Sequence, residues 1–481
     1  YSQMLELAQS LSPQYRVGSA WLFYSACRSD ARNREIACQR LDPADVIALD
    51  IPYPELEGGS TASSFETMAD VQPCSMLQTD DRLFAACIAG RRDFHIDPYG
   101  RMTFCCFIKD PALRFDLRQG TFRQAWDEFI PSLADAVRAG DEYRENCGAC
   151  ELRQDCRWCG VYGYLEHGRF SAKVEYLCQV AAETHHFRED WRQSHIRYFQ
   201  IGGITIQVLM EPRIDEHTFD QKFQKFQVDG PGADTVTLRV AASMPALSDL
   251  RLGPEVYRQP PLVIYRQARS WTYIGGAGDD QPPRLLAIFD EGHNHGTIYR
   301  DGQRDRLENL QSLTTFPSDQ FLLARLLADR QGCLLHAAGF VLSGQGLLFV
   351  GHSEAGKSTM MKMLRGYGEI LCDDRIILRR WPEGFRIHGT WSHGELPDVS
   401  PDSAPLRAIF YLQKATTNQL IPLTEKRERL SQWLSYLIKP LITADWWDKI
   451  LSLAGSIAAE VPAYNMQFDK SGQVVDLLQE L

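Results

Sequence analysis

Nine residues, Gly351-His-Ser-Glu-Ala-Gly-Lys-Ser-Thr359, have the types and spacing needed to hold a phosphate. They fit G-x-x-x-x-G-K-[ST], a pattern with a physical reason at each place. Gly351 and Gly356 let the backbone turn tightly, so that N–H groups along Ser353, Glu354, Ala355, Gly356 and Thr359 can converge on an anion. Lys357 would bring a point charge to the β- and γ-phosphates of a nucleoside triphosphate, and Ser358 a hydroxyl to Mg²⁺. Two adjacent acids, Asp373 and Asp374, follow the loop. Next to a triphosphate, one could hold the metal while the other takes a proton from an attacking hydroxyl. His336 precedes the loop on a stretch that reads as a buried strand.

The elements that must position these groups are well marked. Gly346–Val350 is an apolar run that feeds the loop, and Met360–Leu364 continues out of it, giving strand, loop and helix. The helix N-terminus adds its partial positive charge to the phosphate site. Cys333–Leu342 predicts the strand carrying His336, with Ser343-Gly-Gln-Gly346 as a hairpin turn into the next strand. Glu369–Leu378 reads as a strand interrupted by the two acids, and Ser318–Gly332 as a helix with Ser318 at its N-cap. Further on, Leu406–Leu412 and Glu460–Phe468 read as strands, Arg429–Ile438 and Ala444–Ala459 as amphipathic helices.

In order and spacing, His336, the loop and Asp373-Asp374-Arg375 resemble the HPr kinase family and its relatives with a PEP-carboxykinase-like fold. The resemblance implies that Lys357 binds phosphate, that Ser358 and Asp373 serve Mg²⁺, that Asp374 is the base activating a serine hydroxyl, and that His336 lies beside the transferred group. After the acids, the family segment linked to the reverse, dephosphorylating reaction has no counterpart. Gly389-Thr-Trp-Ser-His-Gly-Glu395 stands there instead. This is similar to kinase-like proteins of peptide-modification gene clusters, which implies a precursor peptide as substrate.

The second chemical signal is a set of thiols. Of thirteen cysteines, only Cys333 and Cys372 lie beyond residue 180, and both read as buried strand residues. Cys27 and Cys38 are too far apart for a compact ligand pair and read as structural. The rest include Cys87-x12-Gly100-x4-Cys105, then Cys147-x2-Cys150-x5-Cys156-x2-Cys159, then Cys178. Short Cys-x2-Cys loops bring two thiolates to one metal centre without strain. Clustered thiols without a secretion signal point to metal binding in a reducing compartment. The same pairs are also zinc-ribbon spacing, so structural zinc stays open. Thr121–Ala139 (with Phe122, Trp126, Phe129, Leu133 and Val137) predicts an amphipathic helix between the two halves of the set.

The layout resembles the SPASM domain of radical-SAM peptide-modifying enzymes, differing in the two-residue gap between Cys156 and Cys159. The resemblance implies two [4Fe–4S] clusters. Cys147, Cys150, Cys156 and Cys178 would hold one, and Cys87, Cys105 and Cys159 the other, with Cys106, Asp93 or an open position completing it. The radical-SAM signature Cys-x3-Cys-x2-Cys is absent from the 481 residues.

Composition sets the frame. A chain of this length holds two to four domains, and 44% hydrophobic with 23% charged residues is an ordinary globular composition. A net charge of −11 without a basic run argues against nucleic acid and anionic membranes as partners. Lack of a membrane-length apolar stretch or signal segment predicts a cytoplasmic location. The start at Tyr1 reads as mid-helix, so a longer parent protein is expected. The predicted class is α/β overall, an α+β multidomain chain. Residues 1–70 read as the end of a radical-SAM-type α/β barrel, with Met4–Leu11 and Pro43–Leu49 helical and Tyr15–Tyr24 a strand. Residues 71–182 are the SPASM-like iron–sulfur domain, and 183–200 a helical linker whose His185 and His186 face solvent. Residues 201–305 form an antiparallel β-rich module in which Gly275–Gly278 is a turn and His293 and His295 are solvent-facing. Residues 306–481 are the HPr kinase-like P-loop domain.

The expected function is ATP- and Mg²⁺-dependent phosphorylation of a serine or threonine on a ribosomally made precursor peptide, fused to the iron–sulfur part of a peptide maturase. The alternative is a nucleotide-binding regulatory or scaffold module without phosphotransfer.

Overall fold

The computed structural model describes residues 2–11, 21–49, 81–90, 94–241, 244–260, 262–276, 283–300, 307–439 and 443–481. The chain divides into two compact units, Tyr1–Arg192 and Gln193–Leu481. Each is a mixed assembly of helices and strands, and the chain is α+β with several sheets.

In the first unit, α1 (Ser2–Leu11), α2 (Asp30–Gln39), α3 (Pro43–Leu49) and α4 (Ala85–Gly90) precede a small antiparallel sheet. Its strands are β1 (His95–Ile96), β2 (Arg101–Thr103) and β3 (Phe115–Asp116), in sequence order. Among the described residues up to Leu49 there are helices and no strand. Most of the strand expected at Tyr15–Tyr24 lies outside the described residues, and Trp21–Tyr24 is irregular.

The helix expected between the cysteine sets is present but interrupted. It starts at Thr121, whose hydroxyl accepts from the Gln124 amide in a capping box. It continues as α5 (Phe122–Gln124), a π turn Ala125–Phe129, and α6 (Ile130–Ala136). Pro131 has no N–H to give the carbonyl four residues back, and the Ile130 amide reaches five back to Ala125. The extra residue rotates the buried face, so Ala125, Ile130 and Leu133 form the core while Phe122 is exposed. Helices α7 (Gly140–Glu145), α8 (Gly160–His167) and α9 (Glu175–His195) follow. The region read as a linker is the end of α9 and the start of strand β4 (Ile196–Ile201).

The second unit opens with a nine-stranded sheet. To β4 it adds β5 (Ile204–Met210), β6 (Gln227–Val228), β7 (Thr235–Ala241), β8 (Glu255–Gln259), β9 (Leu262–Gln267), β10 (Ser270–Gly275), β11 (Leu285–Asp290) and β12 (His295–Tyr299). The order is β6-β4-β5-β7-β12-β11-β10-β9-β8. The sheet is mixed and not antiparallel throughout, because β7 runs parallel to both β5 and β12. A 3₁₀ turn, Gln221–Phe226, leads into β6 and sends Phe223 and Phe226 into the core.

A π turn (Ser318–Leu322) and α10 (Leu323–Asp329) then deliver the chain to β13 (Gly332–Leu342). There follow β14 (Gln345–Val350), α11 (Lys357–Leu364), β15 (Glu369–Cys372), β16 (Arg375–Trp381), β17 (Gly384–His388), β18 (Ser403–Lys414), β19 (Gln419–Pro422), α12 (Lys426–Ser435), α13 (Ala444–Glu460), β20 (Ala463–Phe468) and α14 (Val474–Gln479). The long strands β13 and β18 each serve two sets of neighbours. β13 pairs with β14 and β15 through its second half and with β16 through its first. β18 pairs with β17 early on and with β14 and β20, in parallel, later. Helix α11 buries Met360, Met361 and Leu364 against Phe340, Phe349 and Phe410. On the other side one continuous core joins the nine-stranded sheet, α10, α13 and the strands around the loop.

Candidate active site

The glycine loop joins the end of β14 to the start of α11, beside the C-terminal ends of strands parallel to β14. That is where open α/β sheets place ligands. Two loop residues take left-handed backbone, Glu354 at φ +68° and Gly356 at φ +104°. Gly356 serves conformation, as expected. Gly351 serves space instead: a Cβ there would sit 2.5 Å from that of Ala355. Ser353 and Glu354 are exposed, and the Ala355 amide closes the turn on the His352 carbonyl at 3.1 Å.

Lys357 is buried at the first position of α11, and its Nζ donates to the carbonyls of Gly351 at 2.8 Å and His352 at 3.1 Å. Burial lowers its pKa from the ordinary lysine value, and the charges of Asp374 and Asp373 partly restore it. Ser358, one position on, donates its hydroxyl to Asp373 Oδ2 at 2.8 Å.

The two acids fill the break between β15 and β16, and their surroundings differ. Asp373 is 2% exposed, and besides Ser358 it accepts from the amides of Gly394 at 2.6 Å and Leu396 at 3.1 Å. Asp374 is half-buried. Its Oδ1 lies 3.2 Å from His336 Nε2, and its Oδ2 lies 3.4 Å from Arg375 Nε. The His336 contact is the largest influence holding the Asp374 carboxyl below the ordinary range, against desolvation, with Arg375 adding to it. The backbone brings the pair together: the Ala337 amide donates to the Asp374 carbonyl at 3.0 Å, and the His336 amide to the Tyr436 carbonyl at 2.9 Å. The turn itself is braced from below. Thr390 Oγ1 donates to the Arg375 carbonyl at 2.6 Å, and the buried Cys372 thiol donates to the same oxygen at 2.8 Å.

His336, Lys357, Ser358, Asp373 and Asp374 thus belong to one constellation. Thr359 stands beside it in the first turn of α11. Gly394 and Leu396 were missed by sequence reasoning, since each acts through a backbone amide with no side-chain signature. So was Tyr436, which holds the His336 strand and packs its ring 4.6 Å from that of His352. Oxygen donors at Ser358 and Asp373 fit Mg²⁺, and the loop amides fit a phosphate.

Among the described residues of the first unit, the thiols that influence one another's protonation fall into two sets. Burial first, then the neighbouring thiols of Cys178, Cys156 and Cys150, push Cys147 up to about 12. Burial, with Cys178 and Cys150 nearby, pushes Cys156 up to about 11. Cys159 is pushed up to about 12 by burial, with Cys105 and Cys87 adding to it, and Cys106 raises Cys105 further after burial has done so. Among the described residues no three His, Cys, Asp or Glu side chains are gathered around a single-ion site. Asp93 lies outside the described residues. Cys27 and Cys38 are exposed, and Cys333 and Cys372 are buried.

One histidine reading changes. His293 is 1% exposed, not solvent-facing: it holds φ +57° and shares a 2.6 Å hydrogen bond with Tyr273 Oη. Burial pushes its pKa down to about 3. His185 is held 2.9 Å from Asp155, which Arg188 also reaches at 2.6 Å.

Residues 320–480 match the family described as SynChlorMet cassette protein ScmC. This stretch is similar to ScmC. It takes in the loop, both acids, His336 and the Gly394 segment, and leaves out the nine-stranded sheet and the cysteines up to Cys178. No curated protein matches the chain. Among solved structures, the Hpr(Ser) kinase/phosphatase from Coxiella burnetii is 11% identical, covering 30% of this chain and 91% of that one, at a TM-score of 0.19. Neither the ScmC match nor any metal-binding group among the described residues supports a radical-SAM or iron–sulfur assignment. Among the described residues no helix is long and apolar enough to cross a membrane.

Proposed function

We propose that the C-terminal part of the chain is an ATP-dependent kinase acting on a serine or threonine hydroxyl of a ribosomally made peptide. The observation that supports this most is the division of labour between neighbouring carboxylates. Asp373 is tied to the loop serine and two amides, while Asp374 is paired with His336. A nucleotide binder has use for the first arrangement and none for the second.

In this reading Ser358 and Asp373 would hold Mg²⁺, which when bound would supply positive charge to the transferring phosphate. Lys357 exchanges its two carbonyl partners for phosphate oxygens. The acceptor oxygen forms a bond to the γ-phosphorus as the bond to the β–γ bridging oxygen breaks, leaving ADP. The hydroxyl proton passes to a carboxylate oxygen of Asp374. Its lowered pKa keeps that group ionised at neutral pH, and His336 and Arg375 fix its direction. Orientation is the larger part of its contribution, because phosphoryl transfer depends mainly on positioning and charge.

A cassette-type family match is compatible with a substrate encoded alongside the protein. We also propose iron–sulfur binding by Cys147, Cys150, Cys156 and Cys178 and by Cys87, Cys105 and Cys159. What supports it is the spacing of the thiols along the chain. A four-iron cluster takes each thiolate on a different iron, so its ligands stand farther apart than those of one ion. The deciding experiment is intact mass of candidate peptides after incubation with protein and Mg-ATP. A phosphate adduct is expected. Tight ATP binding with no adduct on any peptide or protein would leave the regulatory reading.

A further inference from the structure

The amides that cap Asp373 come from a stretch with no regular structure, between β17 and β18. Its backbone is tied at the ends, the Gly389 amide to the Asp402 carbonyl at 3.0 Å and the Ser400 amide to the Leu371 carbonyl at 2.9 Å, and between them side-chain anchors shape it. Leu396 is buried in the apolar cluster that includes Met360 and Met361 of α11. Trp391 is completely buried on the other side, and its anchor comes from outside the ScmC-like stretch. Its ring centroid lies 5.1 Å from that of Phe223 and 5.5 Å from that of Phe226, both edge-on or tilted. Between these two phenylalanines, Lys225 donates its Nζ to the Val399 carbonyl at 3.0 Å. One short turn, Gln221–Phe226, therefore grips the capping segment at both of its ends.

That turn is itself firmly held. Asp220 caps it through the Lys222 amide at 2.9 Å and accepts from Gln311 Nε2 at 2.8 Å. Phe223 packs against Phe199 and Phe219 of the nine-stranded sheet region. Among the described residues the buried indole N–H of Trp391 meets no hydrogen-bond partner, so the contact with the two phenylalanines uses its ring shape.

We infer that the turn Gln221–Phe226 is a positioning element of the phosphate site, with Phe223 and Phe226 acting through Trp391 to hold the Gly394 and Leu396 amides on Asp373. The nine-stranded sheet is then a working part of the site and not a separate neighbour. This inference rests on the nucleotide-site reading, since Asp373 matters only if Ser358 and Asp373 serve a metal-bound nucleotide.

The test uses the full chain with Phe226→Ala and the milder Phe226→Leu and Trp391→Phe. The control is Phe289→Leu, a core change in the same sheet that touches Tyr273, His293 and Phe316 but not Trp391. Two readouts are taken: amide hydrogen exchange of residues 391–396 in nucleotide-free protein, and the Mg²⁺ concentration that half-saturates ADP binding. In Phe226→Ala, exchange of the Gly394 and Leu396 amides should accelerate and the Mg²⁺ midpoint should rise about tenfold, the loss of one charge-assisted hydrogen bond. Phe226→Leu and Trp391→Phe should fall between this and wild type, and Phe289→Leu should match wild type. Unchanged exchange and midpoint in every Trp391-side variant would overturn the inference. An equal shift in Phe289→Leu would also overturn it, as general loosening of the sheet. If wild-type protein binds no Mg-ADP, the nucleotide reading fails, and the exchange comparison still decides whether the turn holds the amides.

Discussion

Ser358 gives its hydroxyl hydrogen to Asp373 across 2.8 Å, tying the first turn of the loop helix to the end of β15. The next residue, Asp374, points to a different partner, His336. The two acids sit in the bend between β15 and β16, outside the strand ladder. One bend thus sends one carboxylate to the loop serine and its neighbour to His336, the separation on which the proposed roles rest.

Asparagine at each position should separate these roles. Asp373→Asn removes the charge facing Ser358 and should raise the Mg²⁺ needed for nucleotide binding. Asp374→Asn should bind Mg-ADP nearly normally while phosphotransfer falls by about 10²–10⁴-fold, the usual cost of losing a general base. Calorimetric titration and peptide phosphorylation rates check the two arms. Full phosphotransfer in both variants would remove the acids from catalysis.

Lys357→Ala should weaken Mg-ATP binding by roughly ten- to a hundredfold, the worth of about 1.5–3 kcal/mol for a charge-assisted contact. Its pH dependence is a further check. Burial lowers the lysine pKa, so the folded protein loses that proton, and with it phosphate affinity, below the ordinary lysine range as pH rises. Affinity that stays flat up to the ordinary lysine value would contradict this.

The loop, the acids and their strands were legible because each signal is local. A glycine loop between an apolar run and a helix, or two acids interrupting a strand, needs only nearby residues. The caps of Asp373 were not legible. They are backbone amides 21 and 23 residues away, brought in by Trp391 and Leu396 from opposite cores. Strand direction escaped for a related reason. Alternation shows which face is buried but not whether β7 runs with or against β5 and β12. His293 looked like a turn residue, and it does hold a turn backbone. Only the opposing Tyr273, twenty residues back, shows that the turn folds inward.

His293 should make the second unit acid-sensitive. Its folded pKa is about 3 against an ordinary 6.5, so between those values the unfolded chain binds a proton that the folded one does not. Stability therefore falls as pH drops below 6.5, by about 2 kcal/mol at pH 5 from this group alone. His293→Asn tolerates the positive φ and does not titrate there. Its denaturant midpoint should change less between pH 7 and pH 5 than that of wild type. An identical slope would show that His293 is charged, or exposed, in the folded state.

The cysteine sets make the last prediction. Burial and like-charge neighbours raise Cys147, Cys156 and Cys159, so the metal-free protein keeps these thiols protonated at neutral pH. A metal centre must displace those protons, and its uptake should weaken steeply as pH falls. Protein purified and reconstituted without oxygen should carry iron and sulfide and absorb broadly in the visible. Cys150→Ala and Cys87→Ala should each remove about half of the iron if the sets hold separate clusters, because the two residues belong to different sets. Loss of all iron in either variant would mean one shared centre. Stoichiometric zinc without iron in anaerobic protein would replace the cluster reading with a structural zinc site, for which Cys-x2-Cys spacing is equally suited.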